Sequence, residues 1–135
     1  MKRAYISGPI RATSVLQWAV NIFKAWCVAR YYWTQGYAVF CPHSNTAFMD
    51  RADMEPGAWI KGDLAWIEVS NVMIMMPGWL LSEGARKEHN RAVTLGLDIV
   101  YLTPLDVWRA VCLVLSPGKS LPGRDWDFNN GGKNE

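Results

Sequence analysis

Apolar positions along the chain follow two alternating periods. Four short runs, residues 3–7, 37–41, 72–76 and 98–102, are rich in aromatic and β-branched residues and read as strands. The run at 72–76 is continuously apolar, the pattern of a strand buried on both faces. Between these runs apolar residues recur three and four apart, as on helices. Thr13 or Ser14 can cap a first helix that extends to about Gln35, with Gly36 at the position just past its end. Its expected core stripe is Val15, Ala19, Ile22, Phe23, Trp26, Ala29 and Trp33. A second helix is expected over 57–69, with Pro56 suited to its first position. A third opens at Ser82 and closes before Gly96, and a last one covers about 105–115. Residues 42–55 show no period and read as a loop carrying Asp50, Asp53 and Glu55.

Strand and helix therefore alternate with short connections. This order predicts an α/β fold: an open, mainly parallel sheet of about four to five strands with helices on both faces, Rossmann- or flavodoxin-like. Such sheets bind ligands at the carboxyl ends of their strands. That edge would gather residues 7–11, 42–45 and 77–82. The folded unit is expected over 1–115, with 116–135 a mobile tail that Trp126 and Phe128 could dock.

The 135 residues, half of them hydrophobic, suffice for one domain with a proper core. A net charge of +2 with scattered basic residues does not suggest nucleic acid or a membrane surface as partner. No apolar run approaches the roughly 20 residues that span a bilayer, and the N-terminal residues lack the pattern of a signal peptide. Cys27, Cys41 and Cys112 suit buried thiols in the cytoplasm better than a disulfide framework. His43 and His89 lack partners at ligand spacing, so neither metal nor other cofactor is expected.

Two carboxylates break the pattern. On the third helix Ala85, Glu88, Ala92 and Leu95 share one stripe, and Lys87, Asn90 and Thr94 lie opposite. On the second helix Asp63 falls amid Trp59, Ile60, Leu64, Trp66 and Ile67. An acid on a core-facing stripe is costly unless it is paired or chemically employed. Two such acids beside one strand suggest a working pair. Structural salt bridges remain the alternative for each.

At the expected sheet edge, Ser82 and Gly84 begin the third helix, where free N–H groups and the helix dipole favour an anion. An ordinary N-cap is the simpler role for Ser82. Gly8-Pro9-Ile10-Arg11 would form a tight turn bearing a cation, able to grip a phosphate from the other side. Trp79 is either a loop anchor or a stacking wall for a base, and Tyr5 suits the core.

The turn Tyr5-Ile-Ser-Gly-Pro-Ile-Arg11, Asp63 on its helix and the spacing Ser82-x5-Glu88 resemble the nucleoside 2-deoxyribosyltransferase superfamily. Within it they look closest to the 2′-deoxynucleoside 5′-phosphate N-hydrolases and to a small uncharacterised branch common in bacteria and phages. The resemblance covers about residues 3–102. It implies that Glu88 is the nucleophile attacking C1′, that Asp63 assists departure of the base, and that Tyr5 orients the nucleophile. It also implies phosphate contacts for Arg11 and Ser82; Ser7 and Gly8 of the turn, Gly84 and Trp79 are further candidates for binding the substrate or its phosphate. Nucleoside-using transferases carry an acid at the Ser82 position. Serine there points to a 5′-nucleotide, since a carboxylate repels phosphate. The chain departs from the hydrolases at Pro9, where they have a small hydroxyl residue, and at Ala12 and Thr13, where they have glycines.

The implied activity is cleavage of the N-glycosidic bond of a (deoxy)nucleoside 5′-monophosphate, with transfer of the sugar to a second base as the alternative. A nucleotide-binding sensor without turnover is a third reading. Trp18, Trp26, Tyr31, Tyr32 and Trp33 are more aromatic surface than one side of a lone helix buries, so a homodimer or larger homo-oligomer is expected. Light scattering at micromolar concentration checks this. A strictly monomeric mass would contradict it.

Overall fold

A computed structural model describes residues 1–49, 55 and 57–118. The four strands are β1 (Arg3–Ser7), β2 (Ala38–Phe40), β3 (Val72–Met75) and β4 (Asp98–Tyr101). All their pairings are parallel, in the order β2-β1-β3-β4. The chain leaves β1 outward to β2, then crosses back to β3. The topological switch point thus lies between β1 and β3, where open sheets of this kind form their crevice.

The strand period of two assigns the faces. Ala4, Ile6, Val72 and Ile74 enter one core with α1 (Val15–Thr34) and α5 (Pro104–Leu115). Tyr5, Met73 and Met75 enter the other, with Ile67 of α3 (Ala58–Glu68) and Ala92 of α4 (Glu83–Leu95). Because β1 and β3 are covered on both faces, their residues 4–7 and 72–75 are all buried. This is the expected α/β architecture, with every pairing parallel.

Ser14 caps α1, its side chain accepting from the Gln17 N–H. The helix ends at Gly36, whose φ of +83° is a conformation that glycine adopts without strain. Its orientation differs from expectation. The buried face is Ala25, Val28, Ala29 and Tyr32 together with Cys27. Of the expected stripe, Val15, Phe23, Trp26 and Trp33 are exposed and only Ala29 is buried. The helix is apolar nearly all round, so period alone does not choose the face. Close packing does: Ala25 and Ala29 let the backbone approach the sheet and α5 where tryptophan could not.

Other boundaries differ by a residue or two. The period-free stretch begins with a four-residue helix, α2 (Pro42–Asn45), nucleated by Pro42 at its first position. Capping of α5 comes from Thr103 and Asp106, which bond each other's backbone in a reciprocal box. Gly57 is the N-cap of α3. The expected role of Pro56, the acids Asp50 and Asp53, and the tail with Trp126 and Phe128 lie outside the described residues. Leu95 and Trp66, both expected to face the core, are exposed, although Trp66 stacks on Phe40 at 4.5 Å. Among the described residues no helix is long and apolar enough to cross a membrane.

Candidate active site

Alternation along β1 turns Tyr5 and Ser7 toward α4, and the stripe on α4 turns Glu88 toward β1. The three meet in a buried cluster. The Tyr5 hydroxyl donates to Glu88 Oε1 at 2.9 Å. Ser7 Oγ donates to Glu88 Oε2 at 2.5 Å. Glu88 is only 6% exposed, and Tyr5 and Ser7 are fully buried. Asp63, at the middle of α3, is the fourth member. It is buried, and its charge acts on both Glu88 and Tyr5.

Burial dominates the electrostatics. It pushes the Glu88 carboxyl up to about 7, aided by the Asp63 charge and opposed by the hydrogen bonds from Ser7 and Tyr5. It pushes Asp63 up to about 6, opposed by an interaction with the Tyr5 hydroxyl. Tyr5 itself is raised by burial and by the two neighbouring acids, so it remains a neutral donor. One tyrosine hydroxyl therefore influences both carboxyls. Neither acid makes an ion pair among the described residues. The arginines and lysine of α4 are committed elsewhere, Arg91 to Glu68, Lys87 to Glu83 at 2.7 Å and Arg86 to the Leu80 carbonyl at 2.8 Å.

Aromatic rings continue away from Tyr5. Phe40 stacks on it at 5.7 Å, and Trp66 stacks on Phe40 in turn. They brace the Tyr5 ring from the β2 side.

The turn at residues 8–11 leaves the end of β1 above this cluster. A side chain at position 8 would place its Cβ 2.5 Å from Met76 Cβ, so only glycine allows the exits of β1 and β3 to lie this close. The turn is tied down by His43, which donates from Nε2 to the Pro9 carbonyl at 3.2 Å, and by Asn21, which reaches the Ile10 carbonyl at 3.5 Å. A carbonyl only accepts, so the proton of His43 sits on Nε2. Burial lowers the pKa of this histidine to about 4, keeping it neutral, and its Nδ1 is buried without a hydrogen-bond partner among the described residues. The sequence raised His43 only as a metal ligand without a partner, because a lone histidine in a stretch without period carries no signal of a contact with a distant turn.

Arg11 is exposed. The Glu83 carboxylate at the start of α4 is held below its usual range by Lys87 above all, with smaller effects from the charges of Arg86 and, last, Arg11. Ser82 Oγ accepts from the Ala85 N–H at 3.3 Å, the bond of an ordinary N-cap. Gly84 faces Ile60 of α3 across the helix contact and has room for a Cβ there. Trp79 opens a single 3₁₀ turn (Trp79–Leu81). One face of its ring is stacked on His89 at 4.3 Å, and His89 is bonded to the Tyr101 hydroxyl at 2.7 Å. This makes Trp79 an anchor for its loop. The Ser7 hydroxyl, expected at the phosphate, is instead committed to Glu88. Among the described residues no three His, Cys, Asp or Glu side chains converge as a metal site requires.

A parallel four-stranded α/β protein, with two buried carboxyls beside the switch point of its sheet, is the class that fold and site define. The chain belongs to the family described as Domain of unknown function (DUF4406), which matches residues 2–101. That span contains the whole Tyr5–Ser7–Asp63–Glu88 cluster. The chain is also similar to a conserved protein from Enterococcus faecalis V583, seen in a crystal structure. The similarity has a TM-score of 0.54 at 16% identity and covers 87% of this chain and 77% of the other. At that identity the likeness is one of fold. No curated protein matches the chain.

Proposed function

We propose that this protein cleaves the N-glycosidic bond of a (deoxy)nucleoside 5′-monophosphate through a covalent glycosyl-Glu88 intermediate. The observation that carries the reading is that Glu88 and Asp63 are both buried and that neither makes an ion pair among the described residues. Structural acids buried in this way are usually paired, and an unpaired one costs stability. A site that must attack carbon and deliver a proton has a use for both.

In the first step an ionised Glu88 oxygen bonds C1′ as the bond from C1′ to the base nitrogen breaks. The electron pair leaves with the base, which takes the proton of Asp63. Asp63 is then a carboxylate. It accepts a proton from water as that water attacks C1′ and the C1′–Glu88 ester bond breaks, its electron pair returning to Glu88, which releases the sugar phosphate and restores both acids. Interception of the glycosyl enzyme by a second base instead of water would make the protein a transferase. The decisive experiment is incubation with a panel of nucleotides and nucleosides, with and without an added free base, followed by chromatography for released or exchanged base. Absence of both products across the panel would favour a sensor that binds without turnover.

A bell-shaped pH profile is the expected companion result. Turnover needs one proton shared by the two acids; Glu88 is pushed higher than Asp63, so that proton rests mostly on Glu88, and the competent form is the minority in which Asp63 holds it. Below about 6 both are protonated and Glu88 cannot attack. Above about 7 both are ionised and no proton is available for the base. kcat/KM should peak near pH 6.5 and fall roughly tenfold per unit on either side. A profile flat from pH 5 to 8 would remove this pair from the chemistry.

A further inference from the structure

Glu88 is held through both of its oxygens by one strand. Tyr5 and Ser7 are two residues apart on β1, so their side chains leave the same face. Each donates to a different oxygen of the same carboxylate. From this geometry we infer that Ser7 is a positioning residue for Glu88, fixing the plane of its carboxylate and favouring its ionised form, and is not a substrate contact.

Three observations support the assignment. Ser7 is fully buried, so its hydroxyl does not face the space a ligand would enter. It has one proton to donate, and that proton is already given at 2.5 Å. If Glu88 were protonated, its hydroxyl oxygen would be a much weaker acceptor for the Ser7 or Tyr5 proton than a carboxylate oxygen is. Two hydroxyls aimed at two oxygens therefore select the anion. This opposes the burial and the Asp63 charge that push the carboxyl up, and Ser7 is the larger of the two opposing contacts. Among the described residues the other titratable groups acting on Glu88 are Tyr5 on β1 and Asp63 on α3, while Arg86, Lys87 and Arg91 of its own helix bond outward.

This inference rests on the proposed role of Glu88 for its catalytic meaning, but its physical content does not need turnover. The test is a titration of the Glu88 carboxyl by infrared spectroscopy or NMR in protein labelled with ¹³C-glutamate, the signal assigned by its loss in Glu88→Gln. In Ser7→Ala the apparent pKa should rise by about one unit or more, the size expected for one charge-assisted hydrogen bond. Ser7→Cys, with a weaker donor, should fall between Ser7→Ala and the wild type. Where substrate is turned over, the alkaline limb of kcat/KM should move up with Glu88 and the peak should fall by about the same factor, with KM for the monophosphate nearly unchanged. A folded Ser7→Ala protein with an unmoved Glu88 titration would overturn the inference. A raised KM for the monophosphate, but not for the nucleoside, would return Ser7 to the phosphate site. A shifted titration in a protein that cleaves no nucleotide would uphold the pairing and reject the proposed reaction.

Discussion

Glu88→Gln is expected to abolish turnover and to raise stability at the same time. The amide has the shape of the acid and still accepts from Tyr5 or Ser7, so the fold persists. It cannot form the glycosyl ester, and loss of a nucleophile that acts as part of a unit should cost on the order of a thousandfold or more in kcat. The stability gain follows from linkage. Burial raises the folded-state pKa of Glu88 from 4.5 to about 7. The folded protein therefore holds this proton more tightly than the unfolded chain does. The stability this confers is complete below about pH 4.5 and is lost as pH rises through 7. Above that range an ionised Glu88 weighs against folding, and glutamine removes the burden. The shift corresponds to about 3 kcal/mol, of which glutamine should recover about 2, since it replaces only part of the hydrogen bonding. Thermal denaturation should show Tm several degrees above wild type at pH 8, with the gain shrinking toward pH 5. Full activity in Glu88→Gln would eliminate the covalent mechanism. A protein that instead unfolds would mark Glu88 as a structural acid.

The second large effect concerns the 5′-phosphate. At the start of α4 the Glu83 carboxylate is lowered chiefly by Lys87, with Arg86 and lastly Arg11 as smaller charge effects, so Arg11 lies within electrostatic range of that helix start. A phosphate gripped there would gain two charge-assisted contacts. At roughly 1.5–3 kcal/mol each, their loss should cost a hundredfold or more in kcat/KM on going from the monophosphate to its nucleoside. Arg11→Ala should erase most of that preference and leave nucleoside turnover almost unchanged. Two features moderate the grip. Pro9 has no N–H to offer within the turn, and Ser82 Oγ already caps the helix. Competition between a nucleoside and its monophosphate gives the answer directly. Equal use of both would align the chain with nucleoside transferases and leave Ser82 as a cap alone.

The local features of this protein are written in its chain. β1, α3, α4 and α5 were legible to within a residue or two, because each depends on contacts between near neighbours: a cap at Ser82, a stop at Gly96, a run of apolar residues at 72–75. The two acids were legible for the same reason. Glu88 between Ala85 and Ala92 violates a three-four spacing that can be read without knowing what lies across from it. The faces of α1 could not be read so, since an all-round apolar helix offers no contrast. Only packing against the sheet selected alanine over tryptophan.

What the tertiary structure decided is partnership across distance. Ser7 and Glu88 are 81 residues apart, His43 and Pro9 34, and no period or propensity couples such positions. The parallel sheet brings them together by setting β1 beside β3 and laying α4 across both. It thereby gave the Ser7 hydroxyl to Glu88, and the ring of Trp79 to His89. Residue types announced that chemistry was possible at this edge. Which hydroxyl serves which carboxyl was a matter of register and side-chain direction, and these exist only once the strands have paired.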